Sequence, residues 1–501
     1  MQETPSVTGR TNLALTRAIY VLLGVAILRL WVMRLNSSFW LDETGTYWAV
    51  KDGLGQIYAR MIEWPVGTPV YLLVAGLAHA IGGAQEWVMR LPSLLAVAVA
   101  AVLVYRLAVR LFGPESALPA AALFVCADTV TVAASDARSY GLLLLGAAGS
   151  TLALVRWLNG NSRRDAVVYA IAAAFTVHMH YLAFPMLLGH AAYALARWRE
   201  GGPVRMKQIS LAAVAVGILL LPLAPLGWSI FTHRGSLSWA PKPPMTELAN
   251  QLTPSAPIFA AAVGLLLAWQ VCRPLTTKLR AVGASTIVLL AASALLPPLI
   301  LFGISTLTST HIFVPRYFIE SQVPLALLGG WAVGRLEPAD ARSMVTGSIL
   351  VYCLMVAGSW GHWMPLHLDE DWRGALAAVA EVTEGTEIPV LAQCGFIEAS
   401  APGFDFGGPI PSYLTAPFDL YPTGGVVVPV PGQLDEGSVF YLNSRVAPIL
   451  EKNDRFVFVN RGSDVTLGWI VRRFPGYAVE PLGNFGRVGA YLFHRGSSSI
   501  R

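Results

Sequence analysis

Apolar runs close to twenty residues long recur along the whole chain, and this one feature excludes a single large soluble domain. A run of that length matches the hydrocarbon thickness that a helix must cross, and a helix lets a spanning segment satisfy its own backbone groups. Hydropathy places the runs at 13–34, 90–112, 117–135, 140–158, 165–181, 182–198, 208–229, 255–273, 280–303, 317–334 and 344–361, about eleven in all. Hydrophobic residues make up 55% of the 501 positions and charged ones 13%, and they come in blocks rather than at amphipathic spacing. The first run, Ala14 to Met33, is longer than a signal-peptide core and lacks a small-residue cleavage site, so it reads as the first span.

Cations set the orientation. Arg10 and Arg17, Arg106 and Arg110, Arg163 and Arg164, the stretch Arg197 to Lys207, Arg273 to Arg280, and Arg335 with Arg342 all fall on one side, which the positive-inside rule makes cytoplasmic. An odd number of spans then puts the C-terminus outside, and the expected location is a bacterial inner membrane. The net charge of +5 is largely this topology signal, and no nucleic-acid motif accompanies it. Cys126, Cys272 and Cys353 fall in or at the ends of spans, with Cys394 alone outside, so no disulfide framework or CxxC metal site is available.

Two outer segments follow from this topology. Residues 36–89 form a first outer loop in which TPVYLLVAGLAHAIGG is short for a crossing and reads as a helix along the membrane surface. Residues 362–501 read as a small α/β domain after a transmembrane module of residues 1–361. In that domain a helix begins at a capping Asp369 or Asp371, and strands are expected at IPVLAQ, GSVFYLNS, RFVFVN and GAYLFHR between Pro/Gly turns. The expected fold class is therefore a polytopic α-helical membrane protein with a C-terminal extracytoplasmic α/β domain. No GxGxxG, P-loop or repeat is present.

The outer ends of the spans collect Asp42, Glu43, Glu63, Arg90, Asp136, Arg138, Tyr140, His178, His180, His233, Arg234 and Arg316. Snorkelling to headgroups accounts for any one of the arginines as readily as a site does. Asp42 is also a good N-cap for a helix starting near Thr44. His178 and His180, two apart, point to opposite faces of an intact helix and suit interfacial hydrogen bonding. Carboxylates and cations converging from separate segments suit one chemistry in particular, transfer of a sugar from a polyprenyl-phosphate donor. Arginines stabilise the phosphate as negative charge grows on it, and a carboxylate accepts the proton of an acceptor hydroxyl.

In this order, FWLDETGTYWA, TPVYLL, VMRLPSLL, SDARSYGLLL, FVPRYFIESQVP and EDWRGALA resemble bacterial GT-C glycosyltransferases over roughly residues 13–380. The branch is that of protein O-mannosyltransferases and the lipid A aminoarabinose transferase, glycosyltransferase family 39-like. The resemblance implies a GT-C fold, an inverting transfer, and a catalytic carboxylate at Asp42 with Glu43 as helper. It implies a phosphate-binding arginine at Arg90 and a second acidic position at Asp136. Arg138, beside it, is added from the residues themselves as a phosphate partner, and Arg316 is balanced between phosphate contact and snorkelling; Tyr140 and Arg234 complete the candidates. Relatives carry His-Pro-Pro or Lys-Pro-Pro before the surface helix, where this chain reads Pro65-Val66-Gly67-Thr68-Pro69. Some relatives bind a divalent metal and others none; Glu63 and His233 are the weak candidate pair here, without tight ligand spacing.

The implied partners are a polyprenyl-phosphate sugar donor, a lipid, glycan or protein acceptor, and membrane lipids. The rival class is a transporter or lipid-linked glycan flippase, which places its charges near the midplane on broken helices in repeated halves. Here the charges crowd one face and no half-repeat is visible. An inactive scaffold keeping the fold stays open as a third reading. PSYLTAPFDLYP (Pro411 to Pro422) offers aromatics either for stacking on sugars or for filling a small core. On this reading the outer domain roofs the acceptor side, contributes no catalytic group, and can be removed near Gly361 with donor binding retained.

The topology makes a direct prediction. In a variant lacking the four native cysteines, an impermeant thiol reagent should label cysteines placed near Gly53 and Gly432 from outside and should not reach one near Asn161. The reverse pattern would invert the orientation.

Overall fold

The computed structural model describes residues 7–63, 68–232, 240–252, 255–272, 274–278, 281–361, 363–396 and 412–495. They divide into two compact units, Met1–Leu35 with Arg90–Pro365, and Asn36–Met89 with Leu366–Arg501.

The first unit is helical and membrane-spanning. Among the described residues, six helices are long and apolar enough to cross: Ala14–Arg34, Glu86–Phe112, Tyr140–Gly160, Met206–Trp228, Ala284–Leu307 and Ala339–Ala357. Two bent pairs raise the number to as many as eight. The reading of about eleven spans differs because other apolar runs are split or short. The run expected at 117–135 bends by 70° between Ala117–Cys126 and Asp128–Ala134. Helices Arg163–Met179, Phe184–Arg199 and Gln322–Gly334 have 17, 16 and 13 residues.

Small residues let these helices approach closely. A Cβ added at Gly146 would lie 2.6 Å from Thr176 Oγ1, and one at Gly330 would lie 2.4 Å from the Cβ of Ala120. In lipid, where apolar burial gives helices little reason to associate, such close contact is a main source of packing energy. At one end of the unit, Arg29 donates to the carbonyls of Gly358, Ser359 and Trp363 at 2.6–2.8 Å, and Arg34 donates to Ala357 O at 2.7 Å. Arg34 thereby gives a donor to the last carbonyl of helix Ala339–Ala357, which has none within the helix, and Arg29 gives donors to the cap and the chain just beyond it.

The second unit is α/β. Its five-stranded sheet runs in the order Val426–Pro429, Pro389–Gln393, Arg455–Arg461, Val488–Arg495, Tyr477–Pro481. The first three strands are parallel and the last two pairings antiparallel. Pro389–Gln393 is buried at every position, as a central strand covered on both faces requires. Leu391, Leu442, Val446, Leu450, Phe456, Phe458, Ile470 and Phe493 form its core.

Expected strands at IPVLAQ, RFVFVN and GAYLFHR are present, and Asp371 caps helix Trp372–Thr383 by accepting from Gly374 N at 2.9 Å. GSVFYLNS is not a strand: it is helix Glu436–Tyr441 running into a π-turn at Leu442–Val446. The reason is local, because Asp435 accepts from Ser438 N at 2.7 Å and starts a helix. Leu442, Val446 and Leu450 then repeat every four residues into the core. TPVYLL begins helix Pro69–Gly82, whose 14 residues are too few to cross a bilayer.

The close helix contacts predict a contrast. Gly330→Ala forces a methyl group against Ala120 and should destabilise the protein by about 1–3 kcal/mol, read as a lower melting temperature in detergent. Gly149→Ala meets nothing nearer than Leu103 Cδ1 at 3.8 Å and should be neutral or stabilising.

Candidate functional site

Helix Leu41–Val50 carries the acidic pair. Its N-cap is Trp40, in extended backbone at φ −87° and ψ 172°, and Glu43 reaches back so that its Oε2 accepts from Trp40 N at 3.1 Å. This corrects the reading of Asp42 as the cap: the helix starts before Thr44, Asp42 lies inside its first turn, and Glu43 closes the helix start. Glu43 has no exposed surface, whereas Asp42 is half-buried.

The chain leading into this helix is tied down residue by residue within the second unit. Arg373 donates to Asn36 O at 3.0 Å, and its backbone N–H donates to Ser38 Oγ at 3.0 Å. Phe39 N donates to the Tyr421 hydroxyl at 3.2 Å, and that hydroxyl donates to Glu86 Oε1 at 2.8 Å. Glu86 also accepts from Arg373 Nη1 at 3.0 Å. Burial, reinforced by the Glu86 carboxylate, holds the Tyr421 hydroxyl above the usual phenol range, so it keeps its proton and remains a donor. Leu41 N donates to Glu370 Oε2 at 3.0 Å.

His367 comes from the start of the C-terminal stretch. Leu368 and Asp369 follow it in left-handed backbone at φ 52° and 59°, which costs non-glycine residues strain. Arg487 N to Asp369 O at 2.8 Å and Asp371 N to Phe485 O at 3.2 Å hold that turn. The His367 ring lies 6.5 Å from the Trp40 ring, centroid to centroid, and offers a nitrogen within 4.8 Å of a Glu43 oxygen. Carboxylate oxygen and imidazole nitrogen are ligand types for a divalent cation, though two ligands are fewer than a closed site needs. His233 and Arg234 lie outside the described residues, as does the side chain of Glu63 at the end of helix Ile57–Glu63.

In the first unit the cations gather around aromatic rings. His180 is not on an intact helix: the helix ends at Met179, and His180 is extended at φ −156°. Its ring stacks on Tyr181 at 5.3 Å and meets Tyr317 at 5.2 Å and Tyr140 at 5.6 Å. Arg138 and Arg316 both lie within electrostatic reach of His180, and Arg316 sits 5.5 Å from the Tyr317 ring. His178 instead reaches Leu219 O at 2.9 Å. Asp136 and Arg138 are buried in the turn before helix Tyr140–Gly160, where Ser93 Oγ donates to Arg138 O at 3.1 Å. Arg90, one turn before Ser93, is completely buried, and its Nη1 donates to the carbonyls of Arg34 and Leu35, each at 3.0 Å.

Sequence reasoning missed His367, Glu370, Arg461, Tyr181 and Tyr317. Glu370 and Tyr317 lie inside the quoted EDWRGALA and FVPRYFIESQVP; Arg461 carries no signal. Of the aromatics in PSYLTAPFDLYP, Tyr413 and Phe418 are buried and Tyr413 packs edge-on against Trp48 at 5.8 Å. They fill the second unit. Pro411 lies outside the described residues.

Residues 66–228, about a third of the chain, match the family described as dolichyl-phosphate-mannose-protein mannosyltransferase. Among solved structures the chain is similar to ArnT from Cupriavidus metallidurans. The apo state aligns at a TM-score of 0.54 and 12% identity, over 96% of this chain and 98% of that one. ArnT bound to undecaprenyl phosphate aligns at 0.53 and 12%, over 95% and 98%. No curated protein sequence matches the chain. The shared fold extends over nearly the whole chain, and the expectation of a polytopic helical membrane fold with a C-terminal α/β domain is borne out.

The tethering of the acidic helix can be probed at Tyr421. Replacing it with Phe leaves Phe39 N and Glu86 short of one partner each and should destabilise the second unit by about 1–3 kcal/mol. Faster amide exchange at Phe39, with exchange in helix Tyr140–Gly160 unchanged, is the expected signature.

Proposed function

We propose that this chain, a membrane glycosyltransferase of the GT-C fold, moves a sugar from a polyprenyl-phosphate carrier to an acceptor hydroxyl at the outer face of a bacterial inner membrane. Asp42 acts as general base. As the acceptor oxygen attacks the anomeric carbon, its proton passes to Asp42, the bond from that carbon to the phosphate oxygen breaks on the opposite face, and configuration inverts. The carbon does not carry the full charge, because the acceptor oxygen supplies an electron pair to it as the leaving phosphate departs with the pair of the broken bond. Arginine donors then stabilise it better than they stabilise the diester, which is what lowers the barrier.

One observation carries the choice of Asp42 over Glu43. The buried Glu43 is engaged in closing the helix start, whereas Asp42 is half-buried in the same first turn. Arg138 and Arg316 are assigned to the donor phosphate, because their charges gather around one histidine and three tyrosines. Arg90, spending Nη1 on two backbone carbonyls, is assigned to holding the turn at Arg34 and Leu35. The occurrence of undecaprenyl phosphate in a protein of the same fold supports a carrier of that type. Residues 366–501 are assigned a larger part than a roof over the acceptor, since they bring His367 towards Glu43 and Glu370 to Leu41.

Asp42→Asn keeps the size of the side chain and removes the proton acceptor, so turnover in a reconstituted assay should fall by about 10²–10⁴-fold with expression intact. Wild-type turnover by this variant refutes the assignment. Undecaprenyl phosphate binding provides a separate check: Arg138→Ala and Arg316→Ala should each weaken it, and the Lys variants should weaken it less, because the charge survives and the planar fork is lost.

A further inference from the structure

We propose that Glu370 is a positioning residue that acts through the helix carrying Asp42, and that it works because a carboxylate has two acceptor oxygens. The proposal rests on the reading of Asp42 as general base. Glu370 has no exposed surface, and four donors converge on it. Leu41 N and the Trp372 indole Nε1 donate to Oε2, each at 3.0 Å. Arg461 Nε and Nη2 donate to Oε1 at 3.0 and 2.7 Å.

Leu41 is the first residue of the helix and Asp42 the second, so the bond to Leu41 N sets where the Asp42 backbone sits. A helix start has amides with no intrahelical acceptor, and here one of them is taken up by a residue 329 positions away. On the far side of the carboxylate, Arg461 stands at the end of strand Arg455–Arg461, in the middle of the sheet. The helix that carries Asp42 is thereby referenced to the middle strand of the second unit's sheet. Geometry held in this way matters to a proton transfer, since small misplacements of a catalytic group lose large factors in rate.

The number of acceptors makes the idea testable. Glutamine has the shape of glutamate but offers one acceptor oxygen and one amide group that donates. In Glu370→Gln the oxygen can face Leu41 and Trp372 or it can face Arg461, and on the other side donors meet donors. Removing the far donors as well, in Glu370→Gln with Arg461→Leu, lets the oxygen turn to Leu41. The second change should therefore rescue the first.

Hydrogen exchange on the full-length protein in lipid nanodiscs reads this without knowledge of the sugar or acceptor. In Glu370→Gln, amides at the start of helix Leu41–Val50 should exchange faster by about tenfold or more, with helix Tyr140–Gly160 unchanged as the internal control. In the double variant, protection should return to within about threefold of wild type. Turnover should follow the same order, while affinity for undecaprenyl phosphate stays within about twofold of wild type. Wild-type protection in Glu370→Gln overturns the proposal. So does a double variant as loose as the single one, because the loss would then be one of packing alone. If the exchange pattern holds but Asp42→Asn turns over normally, the anchor stands and the choice of base falls.

Discussion

A single buried carboxylate organises the second unit. Glu370 gathers the amide of Leu41, the indole of Trp372 and the guanidinium of Arg461, which come from three separate parts of the chain. Placing an ion where no water reaches is costly unless all of its lone pairs are engaged, and here they are. The arrangement is strongly cooperative as a result. Loss of Arg461, which is itself partly exposed, leaves the fully buried Glu370 carboxylate without a counter-ion, and an uncompensated buried charge of that kind costs about 3–5 kcal/mol. The loop that carries the acidic pair is thus held as firmly as a core element, although its backbone enters through an irregular stretch from Asn36 to Trp40.

The same principle works with different chemistry in the membrane unit. There the helix ends are closed by arginines, Arg29 and Arg34 on the last helix and Arg90 on the carbonyls of Arg34 and Leu35. Glycines at helix contacts bring backbones together where a larger side chain would hold them apart. Arg138 and Arg316 stand near the aromatic rings around His180, so that cationic charge and flat apolar surface occur together there.

Two adjacent acidic residues meet different surroundings within one turn of helix. Adjacent acidic residues on a helix face different ways, roughly 100° apart, so Asp42 and Glu43 cannot have equal surroundings. Glu43 turns into the protein and back to the Trp40 amide, and Asp42 is left half-buried. His367, beyond Trp40 and Glu43, is held by a turn with two successive left-handed residues. Strain of that kind persists only where surrounding bonds over-determine the backbone, and the bonds of Asp369 and Asp371 to residues 485–487 do so here.

The amino-acid sequence by itself determined that this is a multi-pass membrane protein with an α/β appendage and an acidic pair shortly after the first span in the chain. Those features depend on short-range quantities: the length of apolar runs in the spans, the short apolar runs in RFVFVN and GAYLFHR, and the capping carboxylate of Asp371. Where two local signals competed, as at GSVFYLNS, apolar content suggested a strand and the cap at Asp435 won. Only the tertiary structure decided that residues 36–89 belong with 366–501, that Glu43 and not Asp42 closes its helix, and that His180 leaves its helix to join three tyrosines. The reason is range. Leu41 and Glu370 are 329 residues apart, and Glu370 and Arg461 are 91 apart. No local propensity reports which distant acceptor a buried amide will find; that is settled when the folded chain must satisfy every polar group it takes out of water.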